Sequence, residues 1–79
     1  MTNLDIYNQV FIESFKVDPE QLDTLSYRSI SGWDSVGHMA LIAALEEAYN
    51  IMFDTNDIID FSSYEKGKSI LKENYNIEF

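Results

Sequence analysis

The sequence predicts a single all-α domain over residues 1–79: a four-helix bundle of three main helices and one short helix, with a long first loop. Apolar residues recur at three- and four-residue steps, the spacing of one helix face. The apolar–polar alternation of a strand is not sustained anywhere beyond a few positions. With 46% apolar residues, the chain has enough hydrophobic side chain to form one core.

The first helix is predicted over residues 3–15, with Thr2 or Asn3 as its N-cap. Its apolar stripe consists of Leu4, Tyr7, Val10, Phe11 and Phe15. A helical turn follows, because residues 18–21 place an Asp cap, a first-turn proline and a glutamine in order. The connection over residues 16–33 is long for so small a domain, and long ordered loops are usually functional or packed by their own side chains.

The second helix, over about residues 35–50, is the strongest prediction because the segment is rich in Ala, Leu, Met and Glu. Its expected inward stripe consists of Leu41, Leu45, Ala48 and Tyr49. A second apolar strip beside it consists of Val36, Met39 and Ala43. We expect Glu46 and Glu47 to face water.

Two further helices are predicted in the last third of the chain. Residues 54–56 offer caps for a short third helix that holds Ile58, Ile59 and Phe61. A capping box of Ser62 with Glu65 opens a last helix that runs to about residue 75.

Composition excludes several classes of function. The chain has 14 acidic and 5 basic residues, a net charge of −9 and a pI of about 4.1. Nucleic-acid binding and attraction to an anionic membrane both require cations that this chain lacks. Because cysteine is absent, a disulfide, a thiolate nucleophile and a Cys-ligated zinc site are all excluded. The acidic surface instead favours partners with basic docking surfaces.

The chain also lacks the features of an exported or membrane-inserted protein. Its N-terminal segment has no basic region and no long apolar stretch, unlike a secretory signal. The longest apolar run, residues 39–45, is far shorter than the roughly 20 residues of a spanning helix. We therefore expect a cytoplasmic monomer that makes no membrane contact.

The most informative segment is residues 32–36, Gly-Trp-Asp-Ser-Val. It places Ser35 in the first turn of a helix, where free backbone N–H groups and the positive end of the helix dipole favour an anion. That geometry suits a phosphate ester on the Ser35 hydroxyl. The alternative is an ordinary N-cap, in which Asp34 or Ser35 only accepts a hydrogen bond from the first turn.

Residues 33–49, Trp-Asp-Ser-Val-Gly-His-Met-Ala-Leu-Ile-Ala-Ala-Leu-Glu-Glu-Ala-Tyr, resemble the acyl carrier protein family. In that family an Asp-Ser-Leu motif opens the second helix, and its serine carries 4′-phosphopantetheine. The resemblance implies an acyl-carrier-like bundle in which Ser35, preceded by Asp34, is the attachment site and the chain itself is not an enzyme. A phosphopantetheinyl transferase would load the arm from coenzyme A, and the arm's thiol would hold acyl groups as thioesters.

The resemblance also implies a surface for the transferase and for acyl or aminoacyl ligases or transferases. Its apolar part would be Val36, Met39 and Ala43; the sequence fits core residues or simple helix formers at these positions equally well. Its acidic part would be drawn from Asp34, Glu46, Glu47, Asp54, Asp57 and Asp60, although for any one of them a solvated face is the simpler interpretation than a docking contact.

Several positions depart from the family pattern. Gly37 and Ala40 stand where members of fatty-acid synthesis usually have acidic residues, and Val36 replaces the usual leucine. We therefore expect a specialised rather than a primary fatty-acid pathway. Two alternatives remain: an aminoacyl or peptidyl carrier, and a non-carrier helical interaction module with Ser35 as a plain cap.

Two other chemistries are rejected at this point. His38 lies three residues after Ser35, but one exposed helix offers a Ser–His pair neither an oxyanion hole nor an enclosed pocket. We expect His38 beside the phosphodiester or on the surface. Residues 54–65 begin like a calcium loop, yet Ile58 and Ile59 occupy its fifth and sixth positions, so no metal site is expected.

Overall fold

A computed structural model describes all residues 1–79 and consists of helices joined by loops. The elements are α1 (Asn3–Phe15), a 3-10 helix (Pro19–Thr24), α2 (Ser35–Tyr49), α3 (Thr55–Asp60) and α4 (Tyr64–Tyr75). The only β-type pairing is an isolated antiparallel bridge between Ser26 and Ser63. The predicted all-α class is therefore confirmed, and none of the helices is long and apolar enough to cross a membrane.

Local capping chemistry explains where the first two helices begin. Thr2 caps α1 through a capping box, with its hydroxyl accepting from the Asp5 N–H and its own N–H donating to the Asp5 carboxylate. Asp18 opens the 3-10 helix in the same manner with Gln21, and Pro19 occupies the first position. Both boundaries agree with the sequence prediction because these interactions span only three residues.

The start of α4 differs from the prediction by one residue. Ser63, not Ser62, is its N-cap, with the Ser63 hydroxyl accepting from the Lys66 N–H at 2.9 Å. The Ser62 carbonyl instead accepts from the Tyr27 N–H at 2.8 Å, and the Tyr64 N–H donates to Leu25 at 3.0 Å. These bonds flank the isolated bridge and keep the backbone extended through Ser63, so the helix begins after it.

Aromatic rings fill the core between the helices. Phe11 lies at its centre, with ring centroids 4.9 Å from Tyr7, 5.6 Å from Trp33 and 5.3 Å from Tyr64. The buried Tyr7 hydroxyl donates to the Tyr64 backbone carbonyl at 2.7 Å, which joins α1 to the first turn of α4. The completely or almost completely buried side chains are Trp33, Tyr7, Phe11, Phe61, Leu41, Ile42, Leu45 and Leu71.

The buried face of α2 is rotated from the predicted one. His38, Leu41, Ile42 and Leu45 are buried, whereas Ala48 is exposed and Tyr49 is only partly buried. These buried positions follow the i, i+3, i+4, i+7 rule from residue 38, rather than from residue 41 as predicted. The rotation turns the helix so that His38 enters the core and the strip beginning at Val36 faces outward.

Candidate functional site

Ser35 is the first residue of α2, and its side chain is exposed. The helix is capped by Asp34, whose Oδ1 accepts a hydrogen bond from the Gly37 N–H at 2.8 Å. The Ser35 hydroxyl makes no hydrogen bond within the chain. The structure thus distinguishes the two residues that the sequence left as possible caps: Asp34 satisfies the first turn, and Ser35 presents a free hydroxyl.

The backbone around Ser35 favours a negatively charged group. Ser35 and Val36 are the first two residues of a 15-residue helix, so their N–H groups have no partner inside it. The Gly37 N–H is bonded to Asp34, and the His38 N–H donates to the Asp34 carbonyl at 2.8 Å. Two free donors and the helix dipole therefore remain at the point where the Ser35 hydroxyl leaves the helix.

The close approach of Gly32 to α2 explains the glycine at position 37. A Cβ atom built on Gly37 would lie far inside van der Waals contact of the Gly32 carbonyl oxygen. Any side chain at position 37 would push the loop away from the helix just before Ser35. Packing against Gly32 therefore gives a local reason why position 37 has no acidic residue, in addition to the specialised pathway expected from the departure from the family pattern.

An apolar groove of about 350 Å³ opens beside Ser35. Its walls come from the long loop, from the start of α2 and from the segment from α3 to the start of α4. The lining residues are Tyr27, Ser35, His38, Met39, Ile58, Ile59, Phe61 and Ser62. A group attached to Ser35 would therefore emerge next to apolar side chains. The groove was not predictable from the sequence, because residues 27, 35 and 58 are brought together only by the fold.

His38 lies in the wall of this groove and is only 9% exposed. The Trp33 indole N–H donates to His38 Nδ1 at 2.9 Å, and His38 Nε2 lies 2.8 Å from the Ile58 carbonyl oxygen. The expectation that His38 lies on the surface is wrong, because the rotation of α2 directs the ring inward. With both ring nitrogens bonded elsewhere, His38 is not available as a base for Ser35.

The predicted apolar strip forms a continuous exposed surface. Val36 is 77% exposed and Met39 is 52% exposed, and Ala43 and Glu47 continue the same helix face at three- to four-residue steps. We call these four residues the α2 face. Ile59 of α3, which is 72% exposed and lines the groove, adds an apolar side chain that was not predicted to belong to this surface.

The two other predicted partner-binding carboxylates are bonded within the chain. Glu46 is partly buried, and its Oε2 accepts from the Phe53 N–H at 2.9 Å, so the expectation that it faces water is wrong. The Asp57 carboxylate accepts from the Tyr75 hydroxyl at 2.7 Å and from Asn74 Nδ2 at 2.9 Å. Both side chains therefore have structural roles, whatever they contribute to a partner.

A larger hollow of about 700 Å³ at the start of α3 differs chemically from the groove. It is lined only by polar residues, namely Asp54, Thr55, Asn56, Asp57, Glu73 and Asn74. No group of three or more His, Asp or Glu side chains in the protein is arranged to hold a metal ion. The hollow does not include Ser35.

The features that bear on function meet at the amino end of α2. An exposed serine hydroxyl, two free backbone donors, an apolar groove and an exposed apolar helix face adjoin one another. Comparison of the chain with models of protein families, with curated proteins and with solved structures finds no match.

Proposed function

We propose that the protein is an acyl carrier protein in which Ser35 carries 4′-phosphopantetheine. The observation that carries this proposal is the free, exposed Ser35 hydroxyl at the first position of α2, left unbonded because Asp34 supplies the cap. The sequence resemblance over residues 33–49 and the order of the helices support an acyl-carrier-like bundle. The chain would act as a carrier and not as an enzyme.

In the proposed reaction a phosphopantetheinyl transferase moves the arm from coenzyme A to Ser35 Oγ. Ser35 Oγ forms a bond to the phosphorus that carries pantetheine, and the pyrophosphate bond of coenzyme A breaks. Adenosine 3′,5′-bisphosphate is the leaving group, and the hydroxyl proton of Ser35 is released. The free N–H groups of Ser35 and Val36 and the positive end of the α2 dipole favour the phosphodiester charge. The chain contributes no thiol of its own, so only the arm's thiol would form a thioester.

The groove supports an acyl cargo. Apart from Ser35, Ser62 and the polar edges of Tyr27 and His38, its lining is apolar, so it suits a hydrocarbon group better than a charged one. An aminoacyl or peptidyl cargo remains the alternative within carriers.

The α2 face is the proposed contact surface for the transferase and for the acyl or aminoacyl ligase or transferase. Its apolar residues lie next to Ser35, and the chain's net charge of −9 favours partners with basic docking surfaces. We further propose a cytoplasmic monomer in a specialised pathway. The same exposed apolar face also fits the non-carrier interaction module, which would need no modification of Ser35.

Intact-mass measurement distinguishes the carrier from the module. The wild type, Ser35→Ala and Ser62→Ala are each incubated with coenzyme A and a broad-specificity phosphopantetheinyl transferase. Ser62 lines the same groove and is the matched control. We expect one added phosphopantetheinyl group on the wild type and on Ser62→Ala, and none on Ser35→Ala. A folded wild type that gains no mass with several different transferases would contradict the carrier and favour the module.

A further inference from the structure

The imidazole of His38 ties together three walls of the groove. It belongs to the first turns of α2, it accepts from Trp33 of the long loop, and it bonds the backbone of Ile58 in α3. The contact between His38 Nε2 and the Ile58 carbonyl oxygen is a direct polar connection between α2 and α3. The three elements meet at a single titratable ring.

The partners of the ring determine its tautomer. The indole N–H of Trp33 is only a donor, so Nδ1 of His38 must accept and carries no hydrogen. Nε2 therefore carries the hydrogen and donates to the Ile58 carbonyl oxygen. The neutral imidazole satisfies both contacts, and each nitrogen has one partner.

Protonation at Nδ1 is incompatible with this arrangement. The imidazolium has an N–H at both nitrogens, so an N–H of His38 would face the N–H of Trp33 at hydrogen-bond distance. Trp33 is completely buried and stacks on Phe15 and His38, so its indole has no room to turn away. The bond between the loop and α2 would have to break.

No charged side chain is hydrogen-bonded to the ring, whose two partners are the Trp33 indole and the Ile58 carbonyl. The rings around His38 are those of Trp33 and Tyr27 from the loop and of Phe61, and only Tyr27 among them is titratable. The nearby charged residues of the loop and helices are otherwise occupied or exposed. The Asp34 carboxylate accepts from the Gly37 N–H, and the Asp57 carboxylate accepts from Tyr75 and Asn74. The Arg28 guanidinium lies over the Tyr27 ring, and Asp60 is exposed.

We propose that His38 is a pH-sensitive latch of the groove beside Ser35, closed when the imidazole is neutral and released when Nδ1 takes up a proton. Release frees the loop from α2 and loosens the wall that α3 supplies. This inference depends only on the His38 contacts and does not require that Ser35 be modified. Its consequence is a domain that is less stable, and a groove that is less defined, once His38 is protonated.

The first test is the tautomer and titration of His38 in the wild type, followed by nitrogen-15 NMR between pH 8 and pH 5.5. We expect a bare Nδ1 and a protonated Nε2 at pH 8, and a Trp33 indole N–H resonance that shifts with the same midpoint as the ring. A protonated Nδ1 at pH 8, or an indole resonance that does not follow His38, would overturn the latch.

The second test compares the unfolding constant at pH 8 and pH 5.5 in the wild type, His38→Gln and Trp33→Phe, measured in urea by circular dichroism. Because the Trp33 indole N–H opposes a proton on His38 in the native state but not in the unfolded chain, the wild-type unfolding constant should rise severalfold, and by at most about tenfold, as the pH falls over this interval. Gln retains a donor for Ile58 but does not titrate, and Phe removes the opposing indole N–H. We expect a smaller change in both variants, and equal changes in all three proteins would overturn the proposal. If His38→Gln does not fold, Trp33→Phe and the NMR titration decide the question.

Discussion

The Glu46 carboxylate accepts a hydrogen bond from the Phe53 backbone N–H at 2.9 Å and thereby joins the last turns of α2 to the segment that leads into α3. Phe53 is buried against Phe61, with ring centroids 6.0 Å apart. Glu47, the next residue, is exposed and makes no such bond. Two adjacent glutamates that look equivalent in the sequence thus have different structural roles.

We expect Glu46→Ala to lower the free energy of unfolding by about 1–2 kcal/mol, because it leaves the Phe53 N–H without its charged acceptor. Glu47→Ala is the matched control and should change the free energy of unfolding by less than about 0.5 kcal/mol. Urea denaturation of the two variants beside the wild type measures both values. Equal stabilities of the two variants would show that the Glu46 bond contributes nothing.

Gly37→Ala should lower the free energy of unfolding by about 1–3 kcal/mol, because the new Cβ would overlap the Gly32 carbonyl oxygen. Gly32→Ala is the control, since its Cβ would lie at an ordinary 3.7 Å from Phe15 Cδ1 and neither glycine has a positive φ. Thermal unfolding followed by circular dichroism compares the two. A Gly37→Ala variant as stable as Gly32→Ala would contradict the close approach of the loop to α2.

The protein should lose stability at alkaline pH because its buried tyrosines ionise more readily in the unfolded chain than in the native structure. Burial, followed by the neighbouring Tyr64, raises the pKa of Tyr49 to about 12, and burial raises the pKa of Tyr7 well above its ordinary value. The stabilisation is fully present below about pH 10, where free tyrosine is neutral, and is lost as the pH rises from there toward the native values.

Phenolate absorbance measures this effect. We expect it to rise at higher pH in the native protein than in the protein unfolded in urea, and the urea midpoint to fall between pH 8 and pH 11. Tyr7→Phe should reduce that fall, although it also removes the hydrogen bond to the Tyr64 carbonyl and so lowers stability at pH 8. Superimposable absorbance titrations of the native and unfolded protein would contradict the prediction.

If the α2 face docks the transferase, Val36→Ser should lower kcat/KM for transfer of the arm to Ser35 by about tenfold, the equivalent of burying one small apolar side chain. Met52→Ser is the control because Met52 is 83% exposed and lies outside the α2 face. Both variants should stay within about 0.5 kcal/mol of wild-type stability. Equal transfer rates for the two variants would place the docking surface elsewhere, without bearing on whether Ser35 is modified.

The helices themselves were predictable because their signals are local. Caps such as Thr2 and Asp18 act over three residues, and the apolar stripe of α1 repeats within a single segment. The start of α4 was predicted one residue too early because it depends on a long-range contact, the pairing of Ser63 with the distant Ser26. A contact between residues that are far apart in the chain leaves no pattern in the local sequence around either residue.

The buried face of α2 and the contacts of its polar residues could be determined only from the tertiary structure. Apolar residues lie around most of the circumference of this helix, so the sequence is compatible with more than one buried face. Packing against the aromatic core selects the face that buries Ile42 and exposes Ala48. The same rotation buries His38 between Trp33 and Ile58. Its two partners lie 5 and 20 residues away, in a loop and in another helix.

The sequence by itself determined an acidic, cysteine-free, all-α domain and placed Ser35 at the start of its strongest helix, because composition, capping and periodicity are properties of short segments. Only the tertiary structure decided that Asp34 is the cap and that Ser35 stands free beside an apolar groove. A cap is chosen by backbone geometry, and a groove exists only where separate elements meet. Both depend on how the loop, α2 and α3 pack together.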